Sequence, residues 1–368
     1  MTTLSGRLLL DGQLLPGRIV IAGDRIGAVE TDAAVTEAQI IAPGYIDLQV
    51  NGGYGIDFGE APERIGEVAA WLPQTGCTAF LPTIISSFAE RYRRVFDALP
   101  GIEGVAGARV LGLHLEGPFL SPAKKGAHAL AAIEAADDAL FDELLQEAAV
   151  RLVTLAPERA GALDRIARLA ERGVLVSLGH SSATYEQFEA GIDAGAQMAT
   201  HLFNAMSALD SRAPGAVGAA LVDERVTVGL IADGIHTHRA VLALAAGIKG
   251  RDGIALVSDM MGAAGMPPGI YSLNDIPVTV DETSARLNDG RLAGSILTMD
   301  AAVRNMAAWS GVSIADALTM ASTIPARLLG RSDLGRIEAG ALADLVLLDP
   351  DLSVVATWIA GEQVSSRA

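Results

Sequence analysis

The sequence predicts an α/β protein: a (β/α)8 TIM-like barrel with a small β-sandwich domain built from both termini. Three observations lead there. Between residues 43 and 342, short apolar runs alternate with helical patterns in the order strand, helix, strand. Both ends of the chain are instead β-rich and punctuated by turns. In the middle, two successive apolar runs each close on a histidine, His180 and His201.

Residues 1–42 read as short strands. Arg18–Ala22 and Arg25–Val29 flank the turn Gly23-Asp24, which is a hairpin signal. The barrel strands are expected at 45–50, 78–82, 109–115, 151–155, 174–178, 197–200, 226–232 and 254–258. No Gly-x-Gly-x-x-Gly follows the first of them, which disfavours an open dinucleotide-binding sheet. Between the fifth and sixth strands, Tyr185–Ala194 reads as a helix, with Ser182 and Thr184 as candidate N-caps and Gly195 past its end. Residues 271–293 are β-like, with Pro277 and an Asn288-Asp289-Gly290 turn; they either join the terminal sheet or cover the site. From 343 the β texture returns in Asp344–Leu348 and Val354–Ile359, so 1–42 and 343–368 are expected to form one discontinuous domain around a barrel at 43–342.

Composition narrows the function. With 27 Lys and Arg against 44 Asp and Glu, the net charge of −17 argues against a nucleic-acid partner, which needs clustered cations. The single cysteine, Cys77, lies in an apolar run and precludes an internal disulfide framework. Arg7 and Asp11 bracket Leu8–Leu10, so no signal-peptide core is expected, and no apolar run is long enough to span a bilayer. The expectation is a soluble, cytoplasmic protein with no membrane contact.

Barrel strands deliver their carboxyl ends to one face, where active sites form. Here those ends read Asp47–Gly53, His114–Pro118, His180, His201, Asp233–His238 and Ser258-Asp259. A lone histidine is more often a packed polar side chain than a ligand. Two that close successive strands, in a chain of six histidines, are harder to assign to packing. Glu116 with His180 and His201 makes a two-imidazole, one-carboxylate set with a fourth position for water, a pattern suited to zinc. Asp259 is then placed to take a proton from that water and return it to a leaving group. Read alone, Glu116 fits a helix cap or salt bridge, and Asp259 an N-cap before Gly262–Gly265. His114 shares a strand face with Glu116 and reads as structural support; His238 reads as surface, with Thr237 an equal candidate for an N-cap; Lys124-Lys125 reads as a solvated loop pair or as positive charge near a phosphate; and Gly52-Gly53 reads as a turn rather than a phosphate cradle.

Beyond these spacings, Pro43-Gly44-Tyr45-Ile46-Asp47 before the first strand resembles the amidohydrolase superfamily. The runs His114–Phe119, Lys124–His128, Gly179-His180-Ser181, Thr200–Met206 and Ala232–His236 resemble its N-acetylglucosamine-6-phosphate deacetylase family, over essentially the whole chain and in order. The resemblance implies hydrolysis of an acetamide to acetate and an amino-sugar phosphate. It implies Glu116, His180 and His201 as ligands of one divalent metal, zinc by preference, with iron, cobalt or manganese able to use the same set. Asp259 would act as base and then acid, with His128 polarising the acetyl carbonyl. Asn204, the backbone of Ala205, Arg212 and His236 would hold sugar and phosphate, and Leu297, Thr298 and Met299 would line the acetyl pocket. Arg212 would reach the neighbouring subunit's site, implying a homodimer. Where most amidohydrolases have His-x-His, this chain has Gln49-x-Asn51, so a second metal there is not expected. Met260-Met261-Gly262 after Asp259 also departs from the small or polar residues common in the family. Two other readings stand beside this one: an amidohydrolase with a different amide substrate, and a barrel kept as a non-catalytic scaffold.

Overall fold

The computed structural model describes every residue except Ile102, Glu103, Val105, Arg367 and Ala368. The chain opens with β1 (Thr2–Leu10), β2 (Gln13–Ala22), β3 (Arg25–Thr31) and β4 (Ile40–Pro43). The last runs into β5 (Tyr45–Val50), the first barrel strand. Seven more barrel strands follow: β6 (Cys77–Ile85), β7 (Leu113–Glu116), β8 (Val150–Leu155), β9 (Leu175–Leu178), β10 (Met198–Ala199), β11 (Thr227–Leu230) and β12 (Ile254–Leu256). They pair in parallel in chain order. A Val50–Met260 bridge brings the end of the series back to its start.

The expected strand order is observed, with shifted bounds. Thr184, and not Ser182, caps the helix Tyr185–Asp193, its side chain and that of Gln187 forming a reciprocal capping box. The stretch expected as one strand at 109–115 is interrupted at Gly112, whose φ of +127° breaks the ladder between Arg109-Val110 and β7. The strand expected to end at Pro82 continues to Ile85.

Both termini share one seven-stranded sheet. Its order is β18 (Glu362–Ser366), β17 (Val354–Ile359), β16 (Leu345–Leu348), β4, β1, β2, β3. Leu8, Ile19, Ile26, Ile41 and Leu345 pack in its buried cluster. Residues 271–293 do not join this sheet. They belong to a separate three-stranded sheet, β13 (Gly269–Leu273), β14 (Ile276–Val280) and β15 (Ala285–Arg286), which packs on Ile85, Ala127 and Met261 beside the barrel mouth. Its Asn274-Asp275 turn is pinned to the barrel by Asp57, which accepts from the Asn274 N–H at 3.1 Å, and by Ser86 O, which accepts from Asn274 Nδ2 at 3.3 Å.

The passage from terminal sheet to barrel is tightly constrained. A Cβ on Gly44 would lie 2.1 Å from Thr78 Cγ2, so only glycine fits between β4 and β5. Opposite it, Asp344 accepts from Arg109 Nε at 2.7 Å and Nη2 at 3.1 Å, and from the Ala360 N–H at 2.7 Å. Asp344 is 4% exposed while Arg109 is partly open to solvent, so removing the carboxylate costs its charge-assisted hydrogen bonds but leaves the guanidinium partly hydrated. Asp344→Ala should lower the unfolding free energy by about 2–3 kcal/mol, read by denaturant titration at unchanged slope. A loss below about 0.5 kcal/mol would put the pair among ordinary surface bridges.

Candidate active site

The site is built from strand ends. β7 ends in Glu116, β9 leads to His180, β10 to His201, and β12 to Asp259. His180, His201 and Asp259 have φ of +48°, +28° and +51°, the left-handed region that side chains with a Cβ rarely adopt. The fold holds these backbones at the strand-to-loop turns, as functional sites commonly require. Beneath them the barrel interior is polar. His114 Nδ1–H donates to Leu48 O at 3.1 Å, and its Nε2 accepts from Thr154 Oγ1 at 2.8 Å; Thr200 links Thr154 to Ser177 at 2.7 and 2.6 Å. Burial pushes the His114 imidazole down to about 4, so it is a neutral support under the site.

Glu116 Oε1 lies 3.2 Å from His180 Nε2 and 3.0 Å from His201 Nε2, and the two Nε2 atoms are 3.1 Å apart. All three residues are buried. His180 Nδ1 is 2.7 Å from the carbonyl of Lys124, so that nitrogen carries the proton and Nε2 presents its lone pair to the centre. A single proton can bridge only one pair of this trio, whereas a divalent cation satisfies all three at once. The set therefore fits a metal, and among the described residues it is the one such cluster.

Asp259 stands across the trio. Its Oδ1 accepts from Gln49 Nε2 at 3.0 Å and Asn51 Nδ2 at 2.8 Å. Burial, then the Glu116 charge, push its carboxyl up to about 6. His128 has a determined tautomer. The backbone N–H of Ser86 can only donate, and it meets His128 Nδ1 at 3.1 Å, with Ser86 Oγ at 2.8 Å. Nδ1 is therefore the acceptor and the proton sits on Nε2, which is 3.6 Å from Glu116 Oε2. Burial and the nearby His180 push His128 down to about 4, keeping it neutral. His236 Nδ1 pairs with Asp233 Oδ2 at 2.6 Å, and two backbone N–H groups bond Asp233 Oδ1.

A cavity of about 480 Å³ opens over this arrangement. Glu116, His128, His180, His201, Asn204, Ala205, His236 and Asp259 all line it. The expected residues that it does not bring together are Arg212, Leu297, Thr298 and Met299. Arg212 is exposed in a turn closed by its own N–H to Asp210, outside the cavity lining. Leu297 and Met299 are buried in the main hydrophobic core, and Thr298 precedes the helix Met299–Trp309. The structure adds Ser86, Leu273 and Arg291, and it brings Lys124 and Lys125 to the cavity wall. Ser86 would have been found by extending β6 to its true end, since it then closes that strand as His180 follows β9. The Lys124 carbonyl and the reach of Arg291 leave no residue-type signal.

The amidohydrolase family model matches residues 40–364. The chain is 40% identical to an N-acetylgalactosamine-6-phosphate deacetylase of Escherichia coli O157:H7, covering 98% of this chain and 99% of that protein. It is 39% identical to the N-acetylglucosamine-6-phosphate deacetylase of Homo sapiens, covering 97% and 94%. Among solved structures, a mutant N-acetyl-D-glucosamine-6-phosphate deacetylase of Mycobacterium smegmatis, in complex with N-acetyl-D-glucosamine-6-phosphate, superposes with a TM-score of 0.93 at 36% identity, covering 99% of each chain. The Thermotoga maritima N-acetylglucosamine-6-phosphate deacetylase gives 0.93 at 33% identity, covering 100% of each.

The convergent trio generates a metal-linkage prediction. Dialysis against a chelator should lower Tm, and added zinc should restore it in proportion to occupancy. Glu116→Gln should flatten that response; a wild-type zinc shift in this variant would remove Glu116 from the ligand set.

Proposed function

The chain belongs to the amidohydrolase family, metal-dependent hydrolases, and from that premise we propose that it hydrolyses the acetamide of N-acetylglucosamine 6-phosphate to acetate and glucosamine 6-phosphate. The observation that carries this reading is the Glu116–His180–His201 trio facing Asp259 within one cavity. The near full-length identity to deacetylases of N-acetylated sugar phosphates supports the substrate class. N-Acetylgalactosamine 6-phosphate is the second substrate considered, because the Escherichia coli relative bears that name.

Glu116, His180 and His201 would hold one divalent ion, zinc by preference. When bound, it supplies a Lewis acid for the acetyl carbonyl and a more acidic water. The protein's own groups do the rest. Asp259 takes a proton from the attacking water as the new C–O bond forms. As the C–N bond breaks, it returns that proton to the departing nitrogen, leaving acetate and a free amine. The His128 Nε2–H, fixed by Ser86 on the opposite nitrogen, donates to the carbonyl oxygen as it gains charge. Asn204, Ala205 and His236 hold the sugar phosphate from within the cavity. Arg212 lies outside its own chain's cavity and is free at the surface. We assign it to the phosphate of a neighbouring subunit in a homodimer, where its planar fork can donate twice. Leu297 and Met299, buried in the main core, and Thr298 we assign to the packing behind the acetyl group and not to its direct contacts.

Acetate release decides the reading: turnover of the phosphorylated sugar, lost with chelator and far slower on the unphosphorylated sugar, is expected. Equal turnover of both sugars would discard the phosphate assignment. Asp259→Asn should abolish turnover with bound metal retained, and full activity in that variant would remove it as the base. Arg212→Ala should raise KM roughly tenfold or more, with kcat little changed; an unchanged KM would free Arg212 from any phosphate role. Because Asp259 must be ionised to act, kcat/KM should fall on the acid side with a midpoint at or below pH 6, since a bound cation can only lower the raised carboxyl.

A further inference from the structure

The Gln49-x-Asn51 pair stands at the end of β5, with both side chains on one strand face, directed at the site carboxylates. Gln49 Nε2 donates to Glu116 Oε1 at 3.1 Å and to Asp259 Oδ1 at 3.0 Å. Both amide hydrogens are thus spent on two carboxylates that would otherwise repel. Asn51 Nδ2 adds a second donor to Asp259 Oδ1 at 2.8 Å.

The orientation of Asn51 is dictated by its surroundings. Its Nδ2 faces only acceptors, Asp259 Oδ1 and, at 3.4 Å, Met260 O. This leaves Asn51 Oδ1 buried with no partner among the described residues. An amide arranged for its own satisfaction would not strand its carbonyl in this way. The backbone fixes the register that makes the contact possible: the Asp259 N–H donates to Gln49 O at 2.9 Å, and the Asn51 N–H to Met260 O at 2.8 Å. Asp259 Oδ1 therefore has two donors, while Oδ2 has none among the described residues.

We propose that Gln49 and Asn51 are positioning residues for Asp259: a neutral amide clamp that holds Oδ1 and leaves Oδ2 as the one oxygen free to exchange protons with water and leaving nitrogen. This inference rests on the deacetylase reading for its activity readout and on the Asp259 side-chain position alone for its second.

Gln49→Met and Asn51→Leu roughly keep side-chain shape and remove the donors. Each should lower kcat roughly tenfold to hundredfold, the scale of a misplaced reacting group, with KM and bound zinc per chain unchanged. Gln49→Glu keeps the shape, replaces the donors with an acceptor facing Asp259, and should lower kcat by a similar factor. Unchanged kcat in these variants overturns the proposal, and so does a loss that tracks lost zinc. If the Met and Leu variants do not fold, wild-type kcat in Gln49→Glu overturns it. Wild-type enzyme inactive on any N-acetyl sugar phosphate would instead overturn the reading of function, and crystal structures of the variants would still decide this one: the Asp259 carboxylate should shift, and an unmoved carboxylate overturns the clamp.

Discussion

Three ligand atoms converging on one point, Glu116 Oε1, His180 Nε2 and His201 Nε2, set the requirement that the rest of the barrel mouth meets. Groups this close and this buried are unfavourable without a cation among them. The surroundings preserve the arrangement at some expense to local backbone comfort. Left-handed φ values at His180, His201 and Asp259 turn each chain segment sharply as it leaves its strand. The Lys124 carbonyl and the Ser86 N–H decide which imidazole nitrogen is protonated at His180 and His128. In both cases a backbone group with one possible role removes the ambiguity of a side chain with two.

Neutral polar groups do most of the organising. Below the trio, His114, Thr154, Thr200 and Ser177 form a hydrogen-bonded floor that supplies no charge, because burial keeps His114 neutral. Beside it, Gln49 and Asn51 bridge carboxylates by donation alone. Charge within the buried part of the site is thereby concentrated on the trio and Asp259. The separate three-stranded sheet completes the enclosure, with Leu273 on the cavity wall and the Asn274 amide bonded to the same Ser86 segment that orients His128.

Much of this was legible in the sequence because strand ends in a parallel barrel must converge. Glu116, His180, His201 and Asp259 could be gathered from strand order alone, and the structure places them together. The β-rich termini read as one sheet for a similarly physical reason, since short alternating runs need partners. What escaped has identifiable causes. Ser86 was hidden by a strand assumed to stop at Pro82. The clamp at Gln49 and Asn51 could be seen only as a missing pair of metal ligands, because donation to carboxylates depends on register across the barrel's closing seam. Arg212 lies exposed outside the cavity of its own chain, so its proposed phosphate role comes from the family resemblance and not from the fold of one chain. Residues 271–293 gave two possible placements, since β texture says that a segment pairs but not with what.

The central claim is one cation held by two imidazoles and a carboxylate, with Asp259 kept apart by amides. X-ray absorption at the metal edge of the zinc-loaded enzyme tests this most directly. The account predicts one ion per chain, a shell containing two imidazoles, and no metal–metal scattering. A metal–metal distance of about 3.5–4 Å, or a shell of oxygen ligands without imidazole, would contradict it.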